Sequence, residues 1–178
     1  MAGHRRKFNP SGTFYYTLSL ADRQSSALVD HIAALQAAMR DARAKAPFKI
    51  EAIVILPNHF HAILTLPQRD DGFTERWRHI NNSFTIAVAA ASPPTPREAR
   101  GEYALWQERY WEHAIRDETD LARHIEYIHF NPVKHRLVER VADWPHSSFH
   151  RYVRRGLLPG DWASTAPCAG EDFGEFEA

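Results

Sequence analysis

The sequence predicts an α+β domain in which an antiparallel sheet carries helices packed on one face. Three observations lead there. Short runs rich in aromatic and β-branched residues alternate with segments whose apolar residues recur every three or four positions, and the resulting order is β-α-β-β-α-β-α. At 178 residues the chain suits one domain with a substantial core and is short for two. Hydrophobic residues at 44% and charged residues at 25% place it with globular rather than disordered proteins.

Thr13 to Leu20 reads as the first strand, from its Phe, Tyr and Thr content. From Asp22 to Ala46, Leu28, Ile32, Leu35 and Met39 fall at helical steps, and Pro47 stops the run. Phe48 to Leu56 and His59 to Leu66 form a strand pair about the Pro57-Asn58 turn. Phe73 to Ala91 is helical, with Trp77, Ile80, Phe84 and Val88 on one face, and Ser92-Pro93-Pro94-Thr95-Pro96 ends it. The polar stretch to Glu102 is expected to be a mobile loop. Trp106, Tyr110 and Trp111 belong to the fourth strand or to a turn leading into it, and read as core. Asp117 can cap a helix from Glu118 to about Phe130, which Asn131-Pro132 bends or ends. A short helix is expected over 147–154. Residues 1–160 are therefore expected to form the domain and 161–178 an acidic, loosely ordered tail.

One cysteine, Cys168, excludes an internal disulfide framework and makes a reducing cytoplasm the expected compartment. No apolar run reaches the ~18 residues of a membrane span, and the basic N-terminus lacks the apolar stretch of a secretory signal. Net charge is zero but uneven. Residues 121–155 hold seven Lys/Arg against three Asp/Glu, whereas 161–178 hold five acidic residues and no basic one. Local positive charge is what phosphate binding requires, yet a solvated surface would look the same. Charge alone does not decide.

Two constellations could carry chemistry. In His59-Phe60-His61 the histidines lie two apart, so on a strand both imidazoles share one face and can converge on a metal. A pair of half-exposed histidines at a strand edge is the plain alternative. Tyr127 and Asn131 are one helical turn apart, placing a phenol beside an amide oxygen. Glu126 points about 100° away around that helix and is not counted as a ligand.

Together these match a family. Leu56-Pro57-Asn58-His59-Phe60-His61 and Tyr127-Ile128-His129-Phe130-Asn131-Pro132-Val133 resemble the paired signatures of single-tyrosine HUH transposases. With Trp106-Gln107 before the second motif and Asp143-Trp144-Pro145-His146-Ser147-Ser148-Phe149 after it, the chain is similar specifically to REP-associated tyrosine transposases, over about 12–161. The resemblance implies a ferredoxin-like arrangement, with the HUH motif on a strand and the tyrosine on a helix. It implies that Tyr127 is the nucleophile and that His59, His61 and Asn131 are metal ligands, asparagine standing where some relatives have glutamine. The implied cofactor is Mg²⁺ or Mn²⁺, with imidazole ligation favouring Mn²⁺. The implied reaction is transesterification on single-stranded DNA beside hairpins of the repetitive extragenic palindrome type, through a 5′-phosphotyrosine. A monomer is favoured over a dimer.

Arg136, Arg140, Arg151, Arg154 and Arg155 are candidates for stem phosphates, and Trp144, Phe149 and Tyr152 for base stacking, although Trp144 and Phe149 read more naturally as core. His129 and His135 flank the helix without an assigned role. Two other readings stay open: a DNA-binding regulator that has lost the chemistry, and a metal-dependent phosphoesterase in which Tyr127 only positions substrate. The tail poses a further question, whether it covers the site.

Overall fold

The computed structural model describes residues 12–67, 72–91, 104–162 and 173–174. The expected loop at 92–102 lies outside them. In chain order the elements are β1 (Thr13–Ser19), α1 (Ala27–Asp30), α2 (Ile32–Lys45), β2 (Lys49–Ile55), β3 (His59–Thr65), α3 (Thr74–Ala91), β4 (Trp111–Ala114), α4 (Glu118–Lys134), a 3₁₀ turn at Val141–Asp143 and α5 (Phe149–Arg154). The sheet order is β2-β3-β1-β4 with every neighbour antiparallel, the ferredoxin-like βαββαβ arrangement. Among the described residues no helix is long and apolar enough to cross a membrane.

The two central strands are buried almost continuously, so both faces of the sheet need cover. Alternation sends Tyr16, Leu18, Phe60, Ala62 and Leu64 to one face, where they pack with Leu28 of α1, Leu35 and Ala38 of α2, and Ile80 and Phe84 of α3. Tyr15, Val54 and Ile63 go to the other face and meet Tyr127 and Ile128 of α4. Helices were expected on one face only. That holds for the crossover helices, but α4 covers the opposite face, because its apolar stripe has a second buried sheet surface to fill. Trp106 is buried in the first cluster, as expected, and bridges Leu20. The expected helix over 22–46 is broken at His31 into α1 and α2.

Helix α4 begins on a reciprocal cap. Asp117 accepts from the Asp120 backbone N–H at 2.8 Å, and the Asp120 carboxylate reaches back to the Arg116 N–H at 2.9 Å. Pro132 lies inside the helix, which runs past it to Lys134. It removes one N–H from the last turn, and a Schellman pair closes the end: Leu137 N–H donates to Pro132 O and Arg136 N–H to Val133 O. The closing position demands φ > 0 and is filled by Arg136 at 57° rather than by glycine.

His129, fully buried, hydrogen-bonds Ser148 Oγ at 2.9 Å and so ties α4 to the segment entering α5. Burial, with Arg151 and His150 acting in the same direction, pushes its imidazole down to about 3. The folded state therefore binds this proton less readily than the unfolded chain, where histidine titrates near ~6.5. Its contribution is complete above that value and is lost as pH falls from there towards about 3, at up to ~1.4 kcal/mol per unit. Urea midpoints measured across this window are expected to fall with acidity, and His129→Gln to flatten the slope. An unchanged slope would assign the acid sensitivity elsewhere.

Candidate active site

Strand pairing sets the first half of the site. Across β1 and β3, Thr17 lies opposite His61 and Ser19 opposite His59, and Val54 of β2 faces His61 from the other side. His61 is fully buried on the face covered by α4. Its Nδ1 lies 2.8 Å from Tyr15 Oη and 2.9 Å from Thr17 Oγ1. Thr17 Oγ1 also donates to the Phe173 carbonyl at 2.8 Å, so the protein holds His61 through Nδ1 and turns Nε2 to the other side of the ring. The Asn58 amide oxygen accepts from His59 Nδ1 at 2.6 Å and places the His59 lone pair on Nε2. Both rings are thus held by the protein through Nδ1, the arrangement in which Nε2 can serve a metal.

Helix α4 supplies the second half. Tyr127, Asn131 and His135 fall on one stripe, four residues apart. The His61 ring meets Tyr127 at 5.5 Å between centroids, and the His59 ring meets His135 at 5.0 Å. Asn131, fully buried, lies on the helix midway between these two contacts. The fold therefore brings His59, His61 and Tyr127 together, with Asn131 buried on the same helix stripe. Two imidazole nitrogens and one amide oxygen would make a borderline donor set of the kind that suits a divalent cation such as Mn²⁺.

Four neighbours escaped the sequence reading. Tyr15 and Thr17 orient His61. Lys134 Nζ donates to Tyr127 Oη at 2.8 Å and lies 4.8 Å from the ring centroid. Phe173, from the acidic tail, stacks on Tyr127 at 3.8 Å with 9° between planes and is 4% exposed. Its carbonyl accepts from both Tyr15 and Thr17. The next residue, Gly174, has φ of 71°, and a Cβ there would overlap the Trp111 side chain. Of these four, only Lys134 left a legible signal: seven residues place it on the Tyr127 stripe.

Beside this site His113, Asp120 and His124 bring one ligand atom each within 4.8 Å of one another and could hold a metal ion. Their hydrogen bonds also give them a structural task. Asp120 Oδ2 accepts from His113 Nε2, Arg116 N and Arg116 Nε, and His124 Nδ1 lies 2.8 Å from the Asp120 backbone oxygen. Burial raises the Asp120 carboxyl, but the bonds from Arg116 and His113 outweigh it and hold the group well below the usual carboxylate range.

The five arginines selected for DNA contact divide. Arg136, Arg154 and Arg155 are exposed. Arg140 is exposed too and forms a two-point pair with Asp143. Arg151 is half-buried, with one nitrogen on the β2 carbonyls of Ile50 and Glu51. Trp144 donates to Ile55 O at 3.0 Å and Tyr152 to Glu51 O at 3.1 Å, so both tie the C-terminal segment to β2, while Phe149 is buried beside His129 and Trp162.

No family model matches the chain. A REP-associated tyrosine transposase of Escherichia coli (strain K12) is 44% identical over 163 residues, which cover 92% of each chain. A Haemophilus influenzae relative (strain Rd), whose name assigns it to the same group, is 41% identical over 91% of this chain and 93% of its own. Among solved structures, that of the REP-associated tyrosine transposase bound to a REP hairpin is similar at a TM-score of 0.75 and 41% identity, covering 100% of this chain and 96% of that one. Fold and sequence together define a tyrosine transposase. More particularly, the chain belongs to the REP-associated tyrosine transposases.

Proposed function

We propose that the protein cleaves and rejoins single-stranded DNA beside REP-type hairpins, through a covalent link between Tyr127 and a 5′-phosphate. The observation that carries this reading is the contact between the His-x-His strand and the tyrosine helix, His61 against Tyr127 at 5.5 Å. The REP hairpin bound by the similar solved structure supports the substrate class. His59, His61 and Asn131 would hold Mn²⁺ or Mg²⁺, which when bound polarises the scissile phosphate and offsets its charge.

The chain's own residues do the rest. Tyr127 Oη attacks phosphorus, the P–O3′ bond breaks, the phenol proton leaves to water and the 3′ oxygen takes one up. The phosphotyrosine conserves the bond, so a 3′-hydroxyl can reverse the step without an external energy source. Asn58, Tyr15 and Thr17 keep the two imidazoles aimed across the site. Arg136, Arg140, Arg154 and Arg155 offer exposed charge for the stem phosphates, and Arg151 only its remaining nitrogens. All four core residues come from a single chain, so one chain can carry a complete site, and we read the active form as a monomer. With Phe173 stacked on Tyr127, the tail must lift before DNA reaches the phenol.

The test is to mix the protein with end-labelled single-stranded DNA carrying REP-like hairpins and Mn²⁺, then look for an SDS-resistant adduct. It is expected with Mn²⁺ and absent with a chelator. Adduct that survives chelation would remove the metal from the account. Cleavage without adduct would favour the phosphoesterase, and tight binding without cleavage the regulator.

A further inference from the structure

We propose that Lys134 is a catalytic residue: its ammonium holds the Tyr127 oxygen in place for attack and then contacts the phosphate on the tyrosine side, opposite the leaving 3′ oxygen. The inference rests on the reading of Tyr127 as nucleophile. Lys134 Nζ lies 2.8 Å from Tyr127 Oη and 4.8 Å from the ring centroid, so it fixes both the direction of the C–O bond and the rotation of the ring.

The helix makes this contact possible. Seven residues are two turns less ~20°, so Lys134 lies on the same stripe as Tyr127 and Asn131. Its side chain leans back towards the N-terminus, as helical side chains do, and spans the distance to the phenol. Rings pack around Tyr127: Tyr15 at 6.5 Å, His61 at 5.5 Å and Phe173 at 3.8 Å between centroids. In such surroundings an ammonium at the reacting oxygen is worth more than it would be in water. Lys134 is itself exposed, so the same ammonium can meet an incoming phosphate without being unburied first.

In the step proposed, the Oη–P bond forms and P–O3′ breaks. Lys134 moves no proton, and the phenol proton leaves to water. What it contributes is a fixed positive charge where the attacking oxygen and phosphate share density, the kind of preorganised donor whose removal costs about 10²-fold or more in rate.

A lysine in the last turn of a helix is also favourable simply because it faces the negative end of the dipole. The experiment separates the two roles. Lys134→Met and Lys134→Arg are made in full-length chain carrying Phe173→Ala, so that the tail does not limit the rate. Adduct formation is followed in a single turnover with hairpin DNA and Mn²⁺, and hairpin affinity and melting temperature are measured in parallel. Lys134→Met is expected to slow adduct formation by about 10²-fold or more with affinity changed less than about threefold, and Lys134→Arg to recover most of the rate. A Lys134→Met rate near that of the parent, or a loss of rate matched by an equal loss of affinity or by unfolding, overturns the proposal. If the Phe173→Ala parent forms adduct and Tyr127→Phe still forms it, the nucleophile reading fails instead, and this proposal with it.

Discussion

Tyr127→Phe is expected to abolish covalent joining, a loss of about 10⁴-fold or more, with hairpin affinity unchanged within about threefold. The size follows from what the substitution removes. The ring keeps its stack on Phe173 and its edge contact with His61, and only Oη and its bond from Lys134 disappear. Helix α4 is anchored independently by its Asp117 cap and by the His129–Ser148 bond, so the fold is not at risk. Adduct yield on denaturing gels and affinity by fluorescence anisotropy make the measurement. Were Tyr127 only a positioning group, hydrolytic nicking would persist in the variant. A pure DNA-binding role would leave nothing to lose.

The second large effect concerns the tail. Deleting residues 161–178 is expected to speed cleavage by about 10²-fold to 10³-fold, and replacing Phe173 by alanine, which keeps the carbonyl bonds, by about 10-fold to 10²-fold. Phe173 is 4% exposed, and burying such a side chain is worth about 1.5–3 kcal/mol. Its carbonyl accepts from Tyr15 and Thr17, adding roughly 1 kcal/mol per bond. An opening cost of about 3.5–5 kcal/mol corresponds to a tail lifted in fewer than about one molecule in three hundred, which sets the expected gain on deletion. Gly174 supports the docked geometry twice, by its positive φ and by its approach to Trp111. Single-turnover rates of the full and shortened chains give the answer. Equal rates would mean that the tail lifts at no cost and regulates nothing.

The sheet was legible in the sequence because strands β1 to β3 carry strong aromatic and β-branched runs, and the His-x-His spacing specifies its own geometry on any strand. Tyr127 and Asn131 were legible for the same reason on a helix. What the sequence concealed had physical causes. The face chosen by α4 depends on β1 and β3 being buried on both sides, which shows only when the crossover helices have already filled one of them. Pro132 suggested a helix end, yet the last turn tolerates one missing N–H when a Schellman pair closes it. Arg151 reads as a DNA contact in a basic segment, while its guanidinium partly satisfies the carbonyls of β2. Phe173 stands in an acidic stretch of low hydrophobicity, where a local reading gives one aromatic residue no weight. Its hydrogen-bonding partners lie about 160 residues away, at Tyr15 and Thr17, and its stacking partner is Tyr127.

The central claim is that Tyr127 becomes joined to the DNA 5′-phosphate. Its most direct test is to digest the protein after reaction with hairpin DNA and Mn²⁺ and to locate the nucleotide-bearing residue by mass spectrometry. The account predicts a phosphodiester on the peptide containing Tyr127 and on no other tyrosine, with a 3′-hydroxyl on the released strand. Modification at Tyr15 or Tyr152 instead, or cleaved DNA ending in a simple 5′-phosphate with unmodified protein, would contradict it.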